Sequence, residues 1–178
     1  LAFFCVAIIL LTYLIIYVPK FDYIQGRILS FFDRETGTHN FQSDKAIDSI
    51  TSGGFFGKGI GEGILKNRVP EAHTDYIISV ISEEFGVVAI MLILLLFLIF
   101  IYMVFKKISF ETDDKTKLIL IGSISLILMQ ATIHIGVNIR LFPTTGMTLP
   151  FLSYGGSSII STSILAGIIL NLTKRKIN

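Results

Sequence analysis

The sequence predicts an all-α integral membrane protein, with four transmembrane helices and a long extracytoplasmic loop that carries short helices. Three observations support this fold class. The 178 residues are 52% hydrophobic with a mean hydropathy of +0.74, above what a soluble domain of this length usually shows. Four apolar stretches reach or approach the roughly 20 residues that a helix needs to cross a hydrocarbon core of about 30 Å. Lysine and arginine gather beside the connections at one end of these stretches, the asymmetry that orients membrane proteins.

The first stretch, residues 1–18, is closed by Pro19 and begins at Leu1 rather than Met, with no basic region or small-residue cleavage site before it. It reads as a span cut short at its start, in a fragment whose amino-terminal part is missing. The single cysteine, Cys5, lies inside this apolar run, which excludes a disulfide framework and a cysteine-based metal site. Residues 19–75 form the large outer loop. It is too long for a simple connector and too rich in Phe, Ile and Tyr for plain disorder. Within it, residues 21–32 are compatible with a short interfacial helix, 33–44 read as polar loop, and 42–52 as a second short helix.

The second span is placed at residues 76–105. The inner loop at 106–117 carries Lys106, Lys107, Lys115 and Lys117. The third span covers 118–139, a short outer loop 140–148, and the fourth span 149–172. The tail at 173–178 holds Lys174, Arg175 and Lys176. Both ends are then cytoplasmic. A net charge of +2 with no basic arm or interleaved aromatic stripe excludes nucleic acid as a partner.

Residues 52–63, SGGFFGKGIGEG, invite a phosphate-loop reading and fail it on spacing: Ser52 holds the first position, Gly59 follows Lys58, and Glu62 stands where a dinucleotide fingerprint needs its third glycine. Tight turns and close backbone approach account for the glycines. The loop amides and Lys58 also offer an anionic head group a place to bind.

Residues 69–86, VPEAHTDYIISVISEEFG, carry more chemistry. Pro70 and Thr74 suit a helix start, which sets Asp75 in or near the first turn of the second span. Asp75, Ser79 and Glu83 recur every four residues on one face. An acid there complements the helix dipole without any chemistry; it can also have its pKa raised by desolvation, as a general base requires. Glu83 needs a partner or a wet cavity, because an unpaired charge near the bilayer centre costs at least about 2.5 kcal/mol. Gln130, His134 and Asn138 make a polar stripe on the third span, which must face protein or a cavity. Arg140 follows it, level with Asp75, as an interfacial anchor or a phosphate ligand. Residues 143–158, PTTGMTLPFLSYGGSS, place breakers at membrane depth, which survive only where protein covers the backbone.

In this order and spacing, SGGFFGKGIG, PEAHTDYIISVISEEFG and PTTGMTLPFLSYGGSS resemble the carboxyl-terminal half of the SEDS family (shape, elongation, division and sporulation), over nearly the whole chain. The PEAHTD and GMTLPFLSYGG stretches are more similar to the division-type, FtsW-like branch than to the RodA-like elongation branch. The resemblance implies a ten-span peptidoglycan glycosyltransferase that polymerises lipid II during septal wall synthesis. Its partners would be a class B penicillin-binding protein and other divisome membrane proteins, in the bacterial cytoplasmic membrane. It places the family's essential aspartate on Asp75 as general base. It makes Lys66, Arg68, Glu71, His73, Glu83, Arg140 and Ser153 candidates for substrate contact. No protein-held metal is expected, although a divalent cation can accompany the lipid diphosphate. The sequence departs from the family at Thr51, where glycine is usual, and at Thr145, where lysine is frequent. A lipid II flippase, a non-catalytic scaffold and an elongation polymerase remain alternatives, and the fragment alone is expected to be inactive.

Overall fold

The computed structural model describes residues 6, 10, 13, 17, 18, 22–32, 38–69 and 71–174. The expected first span, with Cys5 and Pro19, lies almost wholly outside them. So do residues 33–37 of the outer loop, Pro70, and Arg175 and Lys176 of the tail.

Among the described residues from Asp22 onward, six helices run in chain order: α1 (Asp22–Phe32), α2 (Thr38–Gly53), α3 (Leu65–Arg68), α4 (Ile77–Phe110), α5 (Asp114–Asn138) and α6 (Gly156–Thr173). Among the described residues three of them, α4, α5 and α6, are long and apolar enough to cross a membrane. The interfacial helix expected at 21–32 is α1. The expected polar loop at 33–44 is shorter than the sequence suggested, because α2 begins at Thr38 and buries Ser43 and Ala46. Packing overrides weak local propensity there.

Helix α4 extends the second span to Phe110 and is not continuous. Gly86 sits at φ 79°, ψ −177°, a non-helical conformation that divides α4 into an upper part, 77–85, and a lower part, 87–110. The glycine-rich loop fills this break. Lys58 N and Gly59 N donate to the carbonyls of Glu83 (2.9 Å) and Glu84 (3.0 Å), while Val87 N and Val88 N donate to those of Gly54 (3.0 Å) and Phe55 (3.3 Å). The loop thus satisfies the carbonyls and amides that the break exposes, as apolar surroundings require. A Cβ on Gly86 would collide with the Phe55 carbonyl, and one on Gly57 with the Glu84 carbonyl. The expectation that the loop amides bind an anionic head group is therefore corrected at Lys58 and Gly59, whose N–H groups serve the broken helix.

The turn from α4 to α5 is closed by Asp113, whose carboxylate accepts from Thr116 N (3.1 Å) and Thr116 Oγ1 (2.7 Å), a helix N-cap. Val104, Leu120, Ile124, Ile127 and Ile169 form the core between α4, α5 and α6. A second core, Ala46, Val69, Ala72, Tyr76, Val80 and Val137, packs α2 against the upper part of α4 and the end of α5. Only 6% of the most apolar window of α4 is buried within this chain, leaving its flank for lipid or further helices.

The fourth span begins later than the sequence predicts, at Gly156 rather than at 149. Residues 149–155 form turns, with Phe151 at φ 66°. Pro150 and the pair Gly155–Gly156 keep these residues out of a helix, and their backbone finds other partners: Leu149 N donates to Ser153 Oγ, Ser153 N to the Leu149 carbonyl and Tyr154 N to the His73 carbonyl. On α6, Thr162 is buried, whereas Ser157 and Ser161 are exposed.

Candidate functional site

Asp75 lies two residues before α4, in the turn at 71–76, near the first turn of the helix as the sequence indicated. Thr74 does not cap α4; its hydroxyl donates to the Glu71 carbonyl (2.9 Å), which also accepts from Thr74 N and Asp75 N (3.0 Å each). Glu71 adopts φ 62° to make this turn.

Several bonds hold the Asp75 backbone from below. Asn138 Nδ2 donates to the Asp75 carbonyl (2.9 Å) and to the His134 carbonyl (2.9 Å), and Asn138 Oδ1 accepts from Ser79 Oγ (2.8 Å) and Ser79 N (3.3 Å). Asn138 is fully buried, and all its bonding capacity toward α4 and α5 is used. The neighbouring Ser153 Oγ donates to the Thr74 carbonyl (2.7 Å) and accepts from Leu149 N (2.8 Å). Tyr154 N donates to the His73 carbonyl (3.0 Å). Candidate residues His73, Ser153 and Asp75 are therefore brought together, with Ser153 as a positioning group for the turn and His73 engaged through its backbone while its side chain is exposed.

The remaining members of the α5 stripe hold the segment before α6. His134 Nδ1 donates to the Met147 carbonyl (2.7 Å). Gln130 Nε2 reaches the Thr148 carbonyl (3.0 Å), Thr148 Oγ1 (3.1 Å) and Ser158 Oγ (3.0 Å). This carries Gly146 to the Asp75 carboxylate: a Cβ built there would sit 3.6 Å from Asp75 Oδ2. The stripe faces protein, as the sequence indicated.

The Asp75 carboxyl is half-buried, and its pKa is raised above the ordinary value of 3.8. Burial is the main cause, and the negative charge of Glu71 adds to it; the Thr74 hydroxyl and the Arg27 charge oppose the rise. Arg27 is a residue that sequence reasoning missed. It sits on α1, and its Nη1 donates to the Thr144 carbonyl (2.7 Å), so one side chain ties α1 to the segment over Asp75. The available signal was a single cation within YIQGRILSFF, residues 23–32.

Glu83 and Arg68 gather elsewhere. Glu83 is 2% exposed; it pairs with Lys58 (2.8 Å) and accepts from Ile64 N (3.0 Å). Both outcomes foreseen for Glu83 occur together, since a polar cavity of about 170 Å³ adjoins the pair, lined by Lys45, Asp48, Ser49, Ser52, Lys58, Ile64, Arg68 and Glu83. The Lys66 side chain lies outside the described residues. Arg140, at φ 61°, pairs through Nη1 with Asp44 of α2. Its Nη2 is buried with no partner among the described residues. No three His, Cys, Asp or Glu side chains among the described residues converge to hold a metal ion.

The whole chain, residues 1–178, matches the family model for FtsW/RodA/SpoVE cell cycle proteins. A probable peptidoglycan glycosyltransferase FtsW from Caulobacter vibrioides is 37% identical over 88% of this chain and 40% of its own length. Proteins of the same name from Enterococcus hirae and Francisella salina are 34% and 39% identical, over 96% and 93% of this chain and 46% and 42% of theirs. The chain thus spans less than half the length of these curated relatives. In a solved structure concerned with polymerization and crosslinking by a peptidoglycan synthase complex, one chain superposes on 99% of this one with a TM-score of 0.70 at 25% identity. The match covers 49% of that chain.

Proposed function

This chain belongs to the FtsW/RodA/SpoVE family of cell cycle proteins, and from that premise we propose that it forms the carboxyl-terminal part of a peptidoglycan glycosyltransferase with Asp75 as general base. It is a multi-pass membrane protein, with three spanning helices among the described residues. The observation that carries the proposal is the Asp75 carboxyl, raised in pKa, fixed through its own carbonyl by Asn138, and covered by the segment that Gln130 and His134 hold.

In the proposed step the 4-hydroxyl oxygen of the acceptor sugar forms a bond to the donor's anomeric carbon, with inversion. Asp75 takes the hydroxyl proton, and the bond from that carbon to the lipid diphosphate breaks, the diphosphate leaving with the electron pair. A positioned base contributes roughly 10²- to 10⁴-fold. The leaving group needs cations rather than a second carboxylic acid. Arg140, through its unpartnered Nη2, and Arg68 and Lys66 of α3 are the proposed sources, and a divalent cation would enter on the diphosphate oxygens. We further propose lipid II as substrate, a class B penicillin-binding protein as partner, cytoplasmic placement of the lysine-rich loop and tail, and action at the division septum. The names of the relatives support the transferase reading, the peptidoglycan synthase neighbour supports a partner that crosslinks, and the lysines at 106–117 and 174–176 support the orientation.

The test uses the complete polypeptide containing these residues, purified with its transpeptidase partner and given lipid II. Wild type should polymerise, and Asp75→Asn should lose polymer while co-purifying with the partner. Normal polymer from Asp75→Asn overturns the base assignment. Lipid translocation into liposomes without polymer overturns the transferase reading in favour of a flippase.

A further inference from the structure

The loop at residues 53–63 ends in an apolar tip that neither core uses. Phe55, Phe56 and Ile60 are 75%, 85% and 79% exposed, although the backbone around them is tied by four hydrogen bonds to α4. We propose that this tip is a lipid anchor: Phe55, Phe56 and Ile60 enter the edge of the bilayer opposite Lys106 and Lys107. They would thereby fix the depth at which α4 breaks.

Register along α4 supports the assignment. Lys106 and Lys107 mark one limit of the apolar run, and Gly86 lies about twenty residues away; at about 1.5 Å of rise per residue this covers about 30 Å, one hydrocarbon core. The break, and the loop bonded across it, therefore fall at the far edge of that core in either orientation of the chain. Exposed Val87, Val88, Met91 and Leu92 continue from the break down the lower part of α4, so the tip extends a surface already suited to lipid. Insertion also leaves few polar groups uncompensated. The amides of Gly57, Lys58 and Gly59 are bonded, the carbonyls of Gly54 and Phe55 accept from α4, and the Lys58 charge is met by Glu83. The inference rests on α4 spanning the membrane and not on the glycosyltransferase reading.

Residues 1–178 contain no tryptophan, so Phe56→Trp adds a reporter at an exposed position, read as the difference from the unsubstituted protein. The protein is reconstituted into phosphatidylcholine and phosphatidylglycerol vesicles whose acyl chains carry bromine either near the head group or near the bilayer centre. The expected result is blue-shifted emission, with greater loss of intensity from the shallow bromines than from the deep ones and little loss from aqueous iodide. Thr112→Trp, in the loop at the other end of α4, should be quenched by iodide and little by bromolipid of either kind. Quenching at position 56 by iodide and not by bromolipid places the tip in water and overturns the proposal; quenching by neither means that protein covers it, and overturns it equally. Phe55→Trp serves as a second reporter should circular dichroism show that Phe56→Trp lowers helix content.

Discussion

Gly86→Ala tests whether the break in α4 is held by the loop or merely tolerated. At φ 79°, ψ −177° the residue occupies a region that is almost closed to side chains, and forcing a non-glycine residue into such regions costs of order 1–3 kcal/mol. The added methyl would also press on the Phe55 carbonyl, so the loop must withdraw. The hydrogen bonds of Lys58, Gly59, Val87 and Val88 across the break then weaken or open, at about 0.5–1.5 kcal/mol each. A total loss of at least about 3 kcal/mol is expected, and up to about 9 if all four bonds open. Thermal unfolding in detergent measures this loss, and hydrogen exchange at residues 57–59 and 83–88 localises it. Gly122→Ala is the control: no atom lies within 4 Å of its built Cβ, and alanine in a helix interior is favoured over glycine by about 0.5–1 kcal/mol. If Gly86→Ala matched that control in stability and exchange, the loop would not be what holds the break, and the depth argument for its tip would fall with it.

Three further outcomes are expected. Polymerisation should fail as pH falls through the raised pKa of Asp75, because the base must be deprotonated. Glu71→Gln should move that acid limb to lower pH and Arg27→Gln to higher pH, the two charges acting in opposite senses, as a pH–rate profile would show. In the window above 3.8 the folded protein binds more protons at Asp75 than the unfolded chain does, so stability falls as pH rises through it. Asp75→Asn should accordingly unfold at the same temperature as wild type or a higher one at neutral pH. Asn138→Leu strands the Ser79 hydroxyl and removes the donor to the Asp75 carbonyl; a loss of about 2–4 kcal/mol in thermal stability should accompany loss of polymer. Lys58→Met takes the Lys58 ion pair from buried Glu83 and should cost about 3–5 kcal/mol, most of it recovered in the double variant Lys58→Met with Glu83→Gln, measured by the same unfolding assay.

The spacing of Gln130, His134 and Asn138 announced an inward polar face, because nothing else can shelter three such side chains on one apolar helix. The need of Glu83 for a partner was legible for the same reason, although its partner, Lys58, was not. The break at Gly86 could not be read: locally it resembles Gly122, a glycine within an apolar run, and only the loop some thirty residues earlier distinguishes the two. Arg27 escaped because its meaning depends on α1 folding back over the segment at Thr144, a contact between residues more than a hundred positions apart. The late start of α6 was hidden because residues 149–155 satisfy their backbone within their own turn and on the turn before α4, through Ser153 Oγ and the His73 carbonyl.

The side-chain ladder of α5 also bears on which changes of length the chain can accept. Gln130 grips Thr148 and His134 grips Met147, one helical turn of donors matched to consecutive carbonyls, while Ser153 closes the same stretch against Thr74. Such an arrangement measures the peptide as a ratchet measures teeth. Adding or deleting one residue between Thr148 and Ser153 would set these teeth out of step, whereas exchanging exposed Leu152 leaves the count unchanged. Insertions should therefore be far scarcer than substitutions in this stretch, and a library of single-residue insertions would find its most intolerant positions there.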